Sequence, residues 1–218
     1  MVRRAALFDM DRTLIRKNTA SLYTRYRRDR GEAGLKDSLL VGWWVLQYTM
    51  GLVDAEGVAK SALGIYRGTA EQDMTRRCQE WFPDYVLPHL SDAARTRVAE
   101  HAEQGDVLAI VTGSTRYAAR PLGDALGIDA LITSEIAVDS LGNFTGEIVP
   151  PLCLGVGKLA KTETFLAERG VGLADTTFYS DSITDLPLLR AVGTPVAVNP
   201  DFRLGRWARK AGWPILYW

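Results

Sequence analysis

The sequence predicts an α/β fold: a mostly parallel sheet flanked by helices, interrupted after its first strand by an inserted helical block. Three observations carry this. Short apolar runs ending in chemistry-bearing residues recur: Ala5-Ala6-Leu7-Phe8 ends at Asp9, Leu108-Ala109-Ile110-Val111 at Thr112, and Phe178-Tyr179-Ser180 at Asp181. The segments between the later runs read as helices, and strands alternating with helices argue for parallel pairing through crossovers. Residues 16–88 lack strand-like alternation and are punctuated by Gly31, Gly34, Gly51, Gly68 and Pro83, the pattern of successive helices.

The first strand is expected at 4–9, followed by helices at 18–30, 36–50, 54–66 and 70–82. A helical block inserted there sits over the carboxyl end of the sheet and is placed to be a lid; the plainer reading is a subdomain that only adds stability. Its stretch 39–53, LLVGWWVLQYTMGLV, has no charge. A spanning helix needs about 20 apolar residues, and Gln47 and two glycines interrupt this one, so a buried or interfacial helix is expected and no transmembrane span. Trp43, Trp44 and Tyr48 there could line a substrate pocket or make peripheral contact with a membrane. Beyond the block a helix is expected at 91–104, opened by Ser91 and Asp92, and Gly105-Asp106 turns it into a strand at 107–111. Then come a helix at 114–126, a hairpin pairing 131–138 with 143–149 around Ser140-Leu141-Gly142, and a helix at 157–169. A strand at 176–179, a helix at 185–191, a strand at 195–198 and a helix at 202–211 complete the chain. The expected division is a core of 1–15 and 89–218 with 16–88 as the inserted unit.

Length and composition narrow the function. A chain of 218 residues holds one domain plus an insertion. Lys plus Arg is 26 and Asp plus Glu is 26, which argues against a nucleic-acid binder. Cys78 and Cys153 are two and far apart, the usage of reduced thiols in a cytoplasmic enzyme rather than a disulfide framework. Met1-Val2-Arg3-Arg4 is basic, but the apolar run after it stops at Asp9, too short for a signal peptide.

The chemistry concentrates at the strand ends. In open α/β sheets, ligands bind outside the carboxyl ends of strands. Asp9 is placed to act as a nucleophile, and Asp11, two residues on, to shuttle protons. Asp-x-Asp-x-Thr also reads as a strand-ending turn with a helix cap. Asp181 and Asp185 repeat the arrangement at a second strand end. Thr112 and the amides around Gly113 can hold phosphate oxygens, although Thr112 also reads as a helix cap. Lys158, after Gly155 and Gly157, supplies a fixed positive charge, and Lys161 is a lesser rival. Carboxylates beside a phosphate need a cation, and Mg2+ suits oxygen donors: Asp9, Asp181 and the backbone carbonyl of Asp11, with Asp185 holding water on the metal or orienting Lys158. Arg116, just past the Thr112 loop, reads as a substrate contact or a solvated arginine. His89 and His101 read as surface or boundary residues and Cys153 as a buried thiol.

Together these segments resemble the haloacid dehalogenase superfamily of phosphohydrolases, with the nearest likeness to its phosphoserine phosphatase branch (subfamily IB). The resemblance rests on Asp9-x-Asp11-x-Thr13-Leu14, Thr112-Gly113, Lys158 and Asp181-Ser182-Ile183-Thr184-Asp185-Leu186-Pro187. It covers the chain outside residues 16–88. It implies a Rossmann-like doubly wound parallel sheet core with an inserted helical cap, and Mg2+-dependent hydrolysis of a phosphomonoester through an aspartyl-phosphate on Asp9 with Asp11 as acid and base. In that branch an acid after the first motif holds the substrate's amino group, and here the position falls at Asn18, beside Arg16 and Lys17. Phosphoserine is thereby disfavoured, and another small phosphomonoester, a phosphorylated amino alcohol such as histidinol phosphate, or a lipid-derived phosphate stays open. Phosphotransfer to an acceptor other than water, and a non-catalytic magnesium- and phosphate-binding module, are the rival readings.

Overall fold

The computed structural model describes residues 3–34, 64 and 66–218. The helix expected at 36–50, with Trp43, and all of the one expected at 54–66 except residues 64 and 66 lie outside the described residues. Seven strands form one sheet in the order β4-β3-β2-β1-β5-β6-β7: β1 (Ala5–Phe8), β2 (Val107–Thr115), β3 (Ala130–Val138), β4 (Phe144–Val149), β5 (Thr176–Ser180), β6 (Thr194–Val198) and β7 (Ile215–Leu216). All neighbours are parallel except β3 and β4, which form the expected hairpin. The helices are α1 (Thr19–Asp29), α2 (Glu71–Trp81), α3 (Asp92–Glu103), α4 (Arg116–Leu126), α5 (Gly155–Ala167), α6 (Leu186–Ala191) and α7 (Phe202–Ala211).

β1 is central because both of its faces are apolar. Ala6 and Phe8 point into one buried cluster with Ile110, Tyr179, Val196, Leu22 and Trp81. Ala5 and Leu7 point into the other, with Ala109, Val111, Phe178, Leu166 and Leu204. This is the two-sided burial of a parallel sheet with helices on both faces. β1 lies between β2 and β5, with Phe8 level with both Ile110 and Tyr179. Residues just beyond this rung, Asp9, Thr112 and Asp181, therefore fall at one edge of the sheet, at the point where the strand order reverses.

The chain on either side of residues 16–88 comes together. Ile15 bridges Leu90, the Arg16 amide donates to the His89 carbonyl at 2.9 Å, and the Ser91 amide donates to the Leu14 carbonyl at 3.0 Å. Between these points, α1 packs its Leu22 and Tyr26 with Met74, Cys78 and Trp81 of α2. Residues 68–71 are stitched to the β3–β4 hairpin: the Phe144 amide donates to the Thr69 carbonyl at 2.9 Å and the Gly68 amide to the Phe144 carbonyl at 2.8 Å.

Several boundaries differ from expectation. β2 continues through Thr115 with a register shift against β3 between Val111 and Thr115, so α4 starts at Arg116 instead of 114. Parallel ladders shift this way where a loop beside a site is re-aimed. α2 runs into a π-helical turn, Phe82–Val86, where Pro83 lacks an amide donor. α5 begins at Gly155, two residues early. β7 has two residues, too few to show an alternation.

Both cysteines are buried and unpaired, and burial pushes each thiol up to about 12. At pH 8 the thiolate fraction is then about 10³-fold below that of a free cysteine. Iodoacetamide should leave the native protein unmodified by mass spectrometry and add two labels after denaturation. Fast labelling of either residue in the native state would contradict the burial.

Candidate active site

Asp9 follows β1 directly, and its amide donates to the Tyr179 carbonyl at 2.9 Å, extending the ladder by one rung. Its side chain is buried. Lys158 reaches it from the first turn of α5: Nζ lies 2.8 Å from Asp9 Oδ1 and 2.6 Å from Asp185 Oδ2. Lys158 is 2% exposed, so this is an ion triad in a low-dielectric setting, where charges bind strongly and unpaired ones are costly. Two glycines let the lysine approach. A Cβ on Gly157 would stand 2.1 Å from the Leu152 carbonyl oxygen, and Gly155 has φ +50°. Gly113 has a comparable steric reason: a Cβ there would meet Leu154 Cδ2 at 2.3 Å.

The second acid-bearing loop follows β5. Asp185 Oδ2 also accepts from Ser180 Oγ at 2.7 Å, and Ser180 Oγ accepts the Ser182 amide at 3.2 Å. Asp181 is buried, with Arg12 Nε 3.5 Å from its Oδ2. Asp11 docks against the start of α1. Its Oδ1 accepts the Thr19 amide at 2.9 Å, and its Oδ2 accepts Thr19 Oγ1 at 3.0 Å and Asn18 Nδ2 at 3.2 Å. Asn18 also caps α1 through the Ser21 amide.

Three carboxyls are displaced upward. Burial is the largest cause for Asp9, which stands at about 7 although Lys158 pulls it down; Asp185 adds to the rise. Burial lifts Asp11 to about 6 against the Thr19 amide and hydroxyl. Burial and then repulsion from Asp9 lift Asp181 to about 8. Burial alone would lower Lys158, but Asp185 and Asp9 outweigh it and hold the ammonium well above its ordinary value. Asp9 and Asp181 are thus two buried acids that oppose each other's ionisation. Oδ2 of Asp9 and Oδ1 of Asp181 accept no hydrogen bond among the described residues. Opposed carboxylates with open oxygens fit a hard divalent cation. No cluster of three or more His, Cys, Asp or Glu side chains suited to a metal occurs among the described residues.

Thr112 is buried beyond the end of β1's pairing, and its Oγ1 accepts the Ser114 amide at 3.1 Å, leaving its proton to donate. Arg116 is directed elsewhere. Its guanidinium pairs with Glu71 of α2, which also accepts from Tyr117 Oη at 2.8 Å. The two arginine partners border a cleft of about 490 Å³ lined by Thr75, Arg120, Leu131, Thr133 and Glu135. Lys161 pairs with Glu135 at 3.2 Å. His101 is a boundary residue whose ring joins Asp106 at 2.7 Å and Tyr179 at 2.8 Å. Sequence reasoning passed over Arg12, Thr19 and Ser180, which touch the acids. Thr19 and Ser180 adjoin marked residues, and Arg12 sits inside the first motif at φ +57°.

An α/β sheet with acids on adjacent strand ends and a buried lysine between them defines a hydrolase of a particular architecture. The chain belongs to the haloacid dehalogenase-like hydrolase family, whose profile matches residues 6–190. A histidinol-phosphatase of Neisseria meningitidis serogroup C is 31% identical over 97% of this chain and 97% of its own length. Phosphoserine phosphatase SerB1 of Mycobacterium tuberculosis is 30% identical over 97% of this chain and 70% of its own. A crystal structure of a protein of unknown function from Bordetella pertussis Tohama I superposes with a TM-score of 0.87 at 30% identity, covering 99% of each chain. No helix among the described residues is long and apolar enough to cross a membrane.

Proposed function

We propose that the protein is a magnesium-dependent phosphomonoesterase that works through an aspartyl-phosphate on Asp9, with residues 16–88 as a cap over the site and a reduced cytoplasm as its setting. The observation that carries the reading is the buried Lys158 between Asp9 and Asp185, beside Asp181. Lys158 holds Asp9 in place through Oδ1, and the Asp9 carboxylate attacks phosphorus in line. The bond from phosphorus to the substrate oxygen breaks, and Asp11 gives that oxygen a proton. Water then attacks the aspartyl-phosphate, Asp11 takes its proton, and the bond to Asp9 breaks to release inorganic phosphate. A carboxyl near 6 can serve in both directions. Thr112 and the amides about Gly113 hold the phosphate oxygens. Magnesium held by Asp9, Asp181 and the Asp11 carbonyl would supply the charge that offsets repulsion between these acids and the phosphate. Asp185, engaged by Lys158 and Ser180, orients the lysine. The closure of Ile15 on Leu90 supports the cap assignment.

For the substrate we favour a phosphorylated amino alcohol of the histidinol phosphate kind. The full-length likeness to a histidinol-phosphatase supports it. So does Asn18 at the position of the phosphoserine-binding acid, with its side chain committed to Asp11 and Ser21. The test is phosphate release from histidinol phosphate, phosphoserine and a simple aryl phosphate, with magnesium and with chelator. Release should need magnesium, be poorly supported by calcium, whose looser shell spoils in-line attack, and be fastest for histidinol phosphate. Full activity in chelator, or release from no compound, would overturn the mechanism; faster phosphoserine turnover would overturn only the substrate.

A further inference from the structure

The two acid-bearing loops are joined by more than Lys158. Residues 199–201, between β6 and α7, bond to both. Asn199 Nδ2 donates to the Arg12 carbonyl at 3.1 Å and to the Trp218 carbonyl at 3.0 Å, while Asn199 Oδ1 accepts the Trp218 amide at 3.0 Å. Trp218 Nε1 in turn donates to the Thr13 carbonyl at 2.7 Å. Asn199 and Trp218 therefore grip the loop that carries Asp9 and Asp11 at two successive carbonyls. Asp201 grips the other loop. Its amide donates to the Asp181 carbonyl at 2.8 Å, and its Oδ2 accepts the Ile183 amide at 2.8 Å. Its Oδ1 meanwhile caps α7 through the Leu204 amide at 2.8 Å.

From this bridge we infer that Asn199 and Asp201 are positioning residues that set the separation of Asp9 and Asp181. Neither touches the carboxyl groups of the acids. They act through the backbone carbonyls and amides on which the acids are carried. Asn199 is held at φ +41°, a conformation that asparagine and aspartate tolerate better than other side-chain-bearing residues, so the residue choice there serves both the backbone and the two donors. Asp9 and Asp181 already press on each other electrostatically. A drift in their separation would spoil a cation site before it spoiled the sheet, since ladder pairing fixes the strands below.

The inference rests on the magnesium phosphatase reading, and the experiment separates the two. Wild type, Asn199→Asp and Asp201→Asn are titrated with magnesium chloride by calorimetry, and kcat and KM are measured on the best phosphomonoester. Asn199→Asp keeps the acceptor and the backbone preference but loses both donors. Asp201→Asn loses one of two acceptors. Both should weaken magnesium by about tenfold or more and lower kcat, as support shells around metal ligands do, with KM little changed. The two variants alter charge in opposite directions: added negative charge at 199 alone would tighten a cation. Weakening in both thus reports geometry. Trp218→Phe, which loses only the bond to Thr13, should weaken magnesium in the same direction and carries the test if either variant fails to fold. If the wild type binds no magnesium, both readings fall. If it binds and turns over while the folded variants bind within twofold of it, positioning alone is refuted.

Discussion

Asp9→Asn should lower turnover by more than about 10⁴-fold, the scale seen when a nucleophile is removed, while the fold stays intact. The amide is nearly isosteric, and its oxygen can still accept from Lys158 at the position of Oδ1. What it cannot do is form an acyl-phosphate. Because Asp9 sits under a desolvation load large enough to lift it to about 7, replacing a potential charge by a neutral amide should leave thermal stability unchanged or raised. The measurement is phosphate release by freshly purified variant, with deamidation excluded by mass spectrometry, alongside a melting curve. Substantial activity in undeamidated protein would remove Asp9 as nucleophile.

The parts of the site legible in the sequence are those that follow an apolar strand run. Asp9, Thr112 and Asp181 could be located because each follows a short apolar run: all of β1, Val107–Val111 of β2, and Phe178-Tyr179 of β5. Their register then brings the strand ends together without further information. Lys158 was legible for a different reason: Gly155 and Gly157 mark a backbone that must pass close to its neighbours.

Contacts made at long sequence separation left no local trace. Nothing near Asn199 in the sequence points to Arg12, 187 residues away. Arg116, read from its nearness to Thr112 as a substrate contact or a solvated arginine, follows a β2 that runs on to Thr115, and its side chain meets Glu71. Asn18 lies where a substrate contact was expected, yet its amide is spent on Asp11 and on capping α1. The hairpin was readable from two strand-like segments around Ser140-Leu141-Gly142, while β7 has only Ile215 and Leu216 and gains its partners from β6.

Lys158→Met should damage stability as well as activity. Methionine matches the lysine stem, which passes near the Phe178 ring, with Nζ 5.7 Å from its centroid, so little cavity forms. The loss is of charge. Asp9 and Asp185 would stand buried without their shared cation, and breaking a buried pair from one side costs about 3–5 kcal/mol. The protein can reduce this cost by protonating Asp9, whose carboxyl already stands at about 7 with the lysine present and would rise further without it. A protonated Asp9 is no nucleophile, so turnover at neutral pH should fall with stability. The pH dependence follows in sign. With the folded carboxyl well above its unfolded value of about 3.9, the native state binds more protons than the unfolded state, and stability drops as pH rises. In chelator, urea melts of Lys158→Met should therefore show higher midpoints at pH 5 than at pH 8, by a wider margin than wild type. A variant equally stable at both values and as stable as wild type would mean that Lys158 does not neutralise Asp9 and Asp185 in the folded protein.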